Sequence, residues 1–198
     1  MRTRSTLLLA FIAFFFLTGL FGPDGDNPDE QRKTIQTMKQ DTLKDLYTFH
    51  PAAEKSVANA IGYAVFSNTG INVLLLSTAN GWGVAHNNET GKDTYMKMWS
   101  GGVGVGIGVK DFRGVFVFTT KDAFETFVES GWQAGAQADA AAKAGEKGGA
   151  ADSAIDVGPG VELYQLTENG LALQATIQGT KYWKNDDLND DAPKKENE

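Results

Sequence analysis

The run Gly102-Val103-Gly104-Val105-Gly106-Ile107-Gly108-Val109 constrains this chain more than any other stretch. At the strand period of two, its four glycines share one face and its four branched residues the other. Glycine weakens a strand, so a face built from it calls for a close neighbour: another backbone, a packed helix or sheet, or a ligand. The spacing also removes one chemistry. A nucleotide site needs Gly-x-Gly-x-x-Gly opening a helix, or Gly-Lys-Ser/Thr after a strand, and the run offers neither. In an extended ladder the amides pair with neighbouring strands and do not converge on a phosphate.

The segments around the run predict an α+β domain: an antiparallel sandwich or barrel-like sheet with N-terminal helices and one inserted short helix. Asn27-Pro28-Asp29-Glu30 reads as a helix start, with Asn as cap, Pro in the first turn and Glu placed to answer the cap. Ile35, Met38, Leu43, Leu46 and Tyr47 then form one face, and the helix must stop before Pro51. A second helix aligns Ala53, Val57, Ala60 and Ile61. From Gly62 onward the period shortens. Strands are expected at 63–66, 71–77, 82–86, 94–99, 103–110 and 115–119, with reversals at Asn80-Gly81 and at Glu89-Thr90-Gly91. Thr120 caps a short helix with Ala123, Phe124, Phe127 and Val128 on its apolar face, and Gly131 ends it. An Ala/Gly-rich segment follows Trp132, and a last hairpin, 161–167 and 171–180, turns at Asn169-Gly170.

The two ends differ in composition from this body. Residues 1–22 pair Arg2 and Arg4 with an apolar stretch of about 16 residues, short of the roughly 20 that a spanning helix needs. They read as a signal peptide or an N-terminal anchor, and either places the domain outside the cytoplasm, in the periplasm or on the envelope membrane. Residues 23–27 form a linker, 28–184 the β-rich domain, and 185–198 an acidic tail expected to be disordered. There is no cysteine, which excludes disulfides and cysteine lipidation. With Arg2 and Arg4 set aside, the 18 cationic side chains become 16 against 25 anionic ones, a net of −9. Such a surface repels phosphate backbones, so nucleic acid is an unfavourable partner.

No catalytic centre assembles from the residue types present. Gly-x-Ser-x-Gly is missing, and His50 and His86 are the two imidazoles. His50 stands at a helix junction and His86 ends a strand beside Asn87 and Asn88. Metal sites lack nitrogen and sulfur ligands, and neither the Asp24/Asp26/Asp29 group nor the Asp186/Asp187/Asp190/Asp191 group has the glycine and closing glutamate of a calcium loop. No cofactor is implied. Carboxylates that meet only in the fold stay open as an enzymatic alternative.

The segments taken together resemble the SYLF lipid-binding domain over about residues 40–182. The resemblance rests on Ala-Ile-Gly-Tyr-Ala-Val-Phe-Ser-Asn at 60–68, the glycine-alternating strand, Val-Phe-Val-Phe-Thr-Thr-Lys-Asp-Ala-Phe-Glu-Thr-Phe at 115–127, and the Ala/Gly-rich segment after Trp132. The chain departs from the family pattern at Ser67, where a proline is usual, and at 71–76, which is apolar where glycine is usual. The resemblance implies an antiparallel domain with packed helices, no enzymatic activity and phospholipid binding. Eukaryotic relatives bind phosphoinositides and some bind actin, which export would put out of reach.

The resulting expectation is a non-catalytic phospholipid or membrane-surface binding protein of the bacterial envelope; the alternative is an interaction module that holds another envelope protein. The four tryptophans, Trp82, Trp99, Trp132 and Trp183, suit a lipid interface, and Lys92, Lys97, Lys110, Arg113, Lys143 and Lys147 are the cations near them; the candidate lipid contacts are Trp82, Trp99 and Trp132, with Lys110, Arg113, Lys143 and Lys147 for headgroups. Core packing competes for each tryptophan, and a solvated loop position for each cation.

Overall fold

The computed structural model describes residues 22–73, 76–103, 108–133, 154–167, 170–171 and 180–190. Helix α1 spans Pro28–Phe49 and α2 spans Ala52–Asn59. The Asn27 side chain accepts from the Glu30 amide at 3.0 Å, and the Glu30 carboxylate accepts from the Asp26 amide at 2.8 Å, a reciprocal cap of the expected kind. Residues 23–27 do more than link: Gly25 and Asp24 carbonyls accept from the Gln31 and Thr34 side chains, folding the segment back on the first turns of α1. Residues 1–21, which contain nearly all of the expected signal or anchor, lie outside the described residues.

The sheet is built from strands longer than expected. β1 runs Gly62–Val73, β2 Leu76–Asn87, β3 Asp93–Val103 and β4 Gly108–Phe118. Helix α3, Lys121–Ser130, follows with Thr120 as its cap and Gly131 beyond it at φ +74°, both as expected. β5 (Trp132–Gln133), β6 (Ile155–Gly158), β7 (Val161–Thr167), β8 (Gly170–Leu171) and β9 (Thr180–Lys184) complete the sheet, and α4 covers Asp186–Asn189. Every pairing is antiparallel, in the order β5-β9-β3-β2-β1-β4-β7-β6, with β8 on β7. The fold is α+β, as expected.

Three expectations are corrected. Asn80-Gly81 is not a turn: both residues lie inside β2, paired to Thr69 and Asn68 on β1 and to Trp99 and Met98 on β3. The reversal comes instead between Val73 and Leu76, so the apolar run at 71–76 straddles a hairpin end rather than forming a strand of its own. Two ladders, one on each side, outweigh a local turn preference. The glycine run is not one strand either: Gly102 and Val103 end β3, Gly108 and Val109 begin β4, and residues 104–107 lie outside the described residues. Nor is the tail after 184 wholly disordered. Asn185 and Leu188 are buried, and Arg32 on α1 donates to the Leu188 carbonyl at 2.9 Å.

Alternation along β1 sorts the core into two layers. Tyr63 and Val65 meet Leu46, Val57, Val115, Val117, Tyr164 and Leu166 beneath α1 and α2. Ala64 and Phe66 face the other way, toward Met96, Phe116, Phe118, Tyr182 and the α3 residues Phe124 and Phe127. On this second side the sheet curls. β4 and β9 stand four strand spacings apart, about 19 Å if flat, yet the Phe116 and Tyr182 rings sit with centroids 5.1 Å apart and Phe66 and Tyr182 4.8 Å apart. Gly83 permits this: Phe66, its cross-strand partner, lies over it, and a Cβ there would stand 2.6 Å from the ring.

Candidate functional site

Strands β3 and β9 carry the same Lys-x-Trp pattern, Lys97-Met98-Trp99 and Lys181-Tyr182-Trp183. Their register sets Lys97 opposite Trp183 and Trp99 opposite Lys181, so cation and indole alternate in both directions. Met98 and Tyr182, also partners, are buried in the concave core, which turns the other four toward solvent. Trp99 is 42% and Trp183 41% exposed, and Lys181 is exposed as well. The Trp99 ring lies along β3 over Gly101, where a Cβ would approach it to 2.4 Å. Lys97 reaches the Asp187 carboxylate at 3.5 Å, an exposed pair of little energetic weight.

The same register row continues across the sheet: Lys97 faces Trp82, Trp82 faces Ser67, and Ser67 faces Arg113. Here α1 stands over the strands and leaves an open cleft of about 430 Å³, lined by Lys33, Thr37, Met38 and Asp41 from the helix and by Trp82 and Arg113 from the sheet. Arg113 donates to Asp45 at 2.8 Å, and Trp82 packs against the buried group Ile35, Val84 and Leu188.

A polar cluster anchors α1 beyond the cleft. Asp93 accepts from His86 Nδ1 at 2.7 Å, from Gln36 at 2.7 Å and from Lys39 at 3.2 Å. Burial alone would push the Asp93 carboxyl up; the hydrogen bonds and the Lys39 charge outweigh it and hold the group below the usual carboxylate range. Tyr63, whose ring lies tilted against His86 with centroids 5.2 Å apart, is pushed up to about 12 by burial, then by Asp93 and Tyr47. The His86–Asp93 pair therefore has the contacts of a structural clamp between helix and sheet. Among the described residues, no three His, Asp or Glu gather as metal ligands, and no helix is long and apolar enough to cross a membrane.

The expected lipid contacts scatter. Trp99 is in the exposed strip, while Trp82 and Arg113 line the cleft. Trp132 packs into the concave core, 5.7 Å from Phe116 and 5.8 Å from Tyr182. Lys110 pairs with Gly70 on the extended part of β4, and Lys143 and Lys147 lie outside the described residues. Trp183 and Lys97 stand among the interface tryptophans and cations read from the sequence but outside the expected contacts, and the site reading missed Lys181. The signal was present: a Lys-x-Trp pattern that occurs twice, at strand spacing.

This architecture defines a class of protein: a single curled antiparallel sheet with helices on both faces, and a tryptophan and lysine strip on one flank. Residues 99–196 match the family described as Ysc84, Las17-binding protein actin regulator. The chain is also similar to Beta cell expansion factor A of Aeromonas veronii, at 39% identity over 159 residues, which cover 80% of this chain and 59% of that protein. The chain thus belongs to the Ysc84, or SYLF, family, in agreement with the resemblance carried by its motifs, and it spans about three fifths of the length of this relative.

Proposed function

We propose that the chain is a non-catalytic protein that binds phospholipid at a membrane surface, exported to the bacterial envelope by its N-terminal segment. The observation that supports this most is the exposed checkerboard of Trp99, Lys181, Lys97 and Trp183. An indole is favoured at the membrane–water interface, where its ring meets acyl chains and its N–H meets polar groups. A lysine beside each indole suits the phosphate layer, at about 1 kcal/mol per cation on an anionic surface. The chain is acidic overall, so the attraction is local and the apolar part dominates.

The expected size follows from exposure. A tryptophan offers roughly 200 Å², and about two fifths of each indole remains open. At about 25 cal/mol per Å² that is ~2 kcal/mol per ring. Flotation with neutral and anionic liposomes tests the reading. Trp99→Ala and Trp183→Ala should each weaken partition by roughly tenfold to thirtyfold, and high salt should weaken it only modestly. Absence of flotation with either lipid at low salt rejects lipid binding in favour of a protein-holding module.

A further inference from the structure

The cleft between α1 and the sheet is lined by charges of both signs, sorted by position. Lys33, Thr37, Asp41 and Asp45 follow one another at four-residue spacing along one flank of α1. Opposite them runs a single register row, Trp183–Lys97–Trp82–Ser67–Arg113, whose side chains share one face of the sheet. The cleft is therefore the inward continuation of the exposed strip. Arg113 donates to Asp45 at 2.8 Å, so these two charges largely cancel. Lys33 and Asp41 have no ion-pair partner among the described residues. They stand about 12 Å apart along the helix, at ~1.5 Å per residue, with Met38 between them and the Trp82 indole on the sheet side. The volume of about 430 Å³ lies within the roughly 300–1,000 Å³ typical of small-molecule sites.

We propose that this cleft holds the headgroup of one zwitterionic phospholipid, its phosphate on Lys33, its ammonium on Asp41 and its glycerol against Trp82 and Met38, with the acyl chains leaving along the row toward Trp183. This rests on the lipid-binding reading above and adds to it a lipid class and a site for a single molecule. Charge complementarity selects the class. An anionic headgroup without an ammonium satisfies Lys33 but sets a second negative charge against Asp41, since Arg113 is already held by Asp45. A cationic amphiphile meets the reverse conflict at Lys33, and an uncharged apolar molecule leaves both charges without a partner. The flexible four-carbon stem of lysine lets the Lys33 ammonium adjust to the phosphate. An indole beside the glycerol and ester groups has the polarity it meets at a membrane interface.

Calorimetric titration of the full chain with dihexanoyl phospholipids, kept below the concentration at which they form micelles, separates this site from adsorption to a bilayer. Phosphatidylethanolamine and phosphatidylcholine should bind saturably, one molecule per chain, and phosphatidylglycerol roughly fivefold more weakly, the size of one exposed charge contact. Asp41→Lys should invert that order, and Lys33→Glu should weaken the zwitterionic lipids roughly tenfold. Both side chains are exposed, so the urea midpoints of these variants should stay near that of the parent. Phosphoethanolamine, which keeps both charges and lacks glycerol and chains, should bind far more weakly; equal binding would make the cleft a site for a soluble phosphate ester and overturn the lipid assignment. If vesicles float the protein but the short-chain lipids show no saturable binding, the cleft inference fails and membrane binding stands. Saturable binding without flotation keeps the cleft and rejects membrane docking, and neither result defeats both. An order of affinities that Asp41→Lys and Lys33→Glu leave in place would put the lipid elsewhere and overturn the proposal.

Discussion

Phe66 is flanked in register by two glycines, Gly83 on β2 and Gly114 on β4, and the structure assigns them opposite tolerance for a methyl group. At Gly83 a Cβ would stand 2.2 Å from the Val65 carbonyl oxygen and 2.6 Å from the Phe66 ring; at Gly114 the nearest atom is Leu163 Cδ1 at 3.6 Å. Neither glycine has a positive φ, so alanine is conformationally acceptable at both. Gly83→Ala must move a paired backbone by about 1 Å or tilt Phe66 out of its contact with Tyr182. Overpacking of this kind costs about 1–3 kcal/mol, and a stretched ladder bond adds about 1, giving about 3 kcal/mol in all. For a domain of this size that lowers Tm by roughly 6–12 °C. Gly114→Ala fits its space and restricts the unfolded chain, so it should be neutral or stabilising by up to about 1 kcal/mol. Urea denaturation of the two variants and the parent, followed by circular dichroism, measures both. Equal effects, or a Gly83→Ala loss under about 0.5 kcal/mol, would refute the account of how the sheet curls.

Two further outcomes follow from the contacts of α1 and α4. Because the Asp93 carboxyl is held low in the folded state, its stabilisation is present above the unfolded value of about 3.9 and lost as pH falls through the folded value. Asp93→Asn should cost about 2 kcal/mol at pH 7, and the difference from the parent should vanish toward pH 2–3; a pH-independent difference in urea midpoint would contradict the charged clamp. Leu188, 2% exposed against Ile35 and Val84, anchors α4 to α1. Leu188→Ala should destabilise by about 2 kcal/mol, and amide exchange at Asn189 should accelerate with it; a neutral result would return residues 186–189 to a loose tail.

Local patterns in the sequence determined helices α1 to α3, the caps of α1 and α3, and the antiparallel, α+β character of the chain; α4 was not among them. Asn27, Glu30, Thr120 and Gly131 act through neighbours three or four residues away, so their roles are legible without a fold. The SYLF motifs were legible in the same way, because they are contiguous. Tertiary structure decided what depends on partners distant in sequence. Asn80-Gly81 carries a turn signal that two flanking ladders override, and the glycine run is divided between two strands that β1 and β2 separate. Exposure was decided at the same level. Four tryptophans of similar local setting divide into two packed ones, Trp82 and Trp132, and two open ones, Trp99 and Trp183. Which side of a strand meets the core depends on register and curl, and those are properties of the whole sheet, set by how Phe66, Phe116 and Tyr182 close on one another.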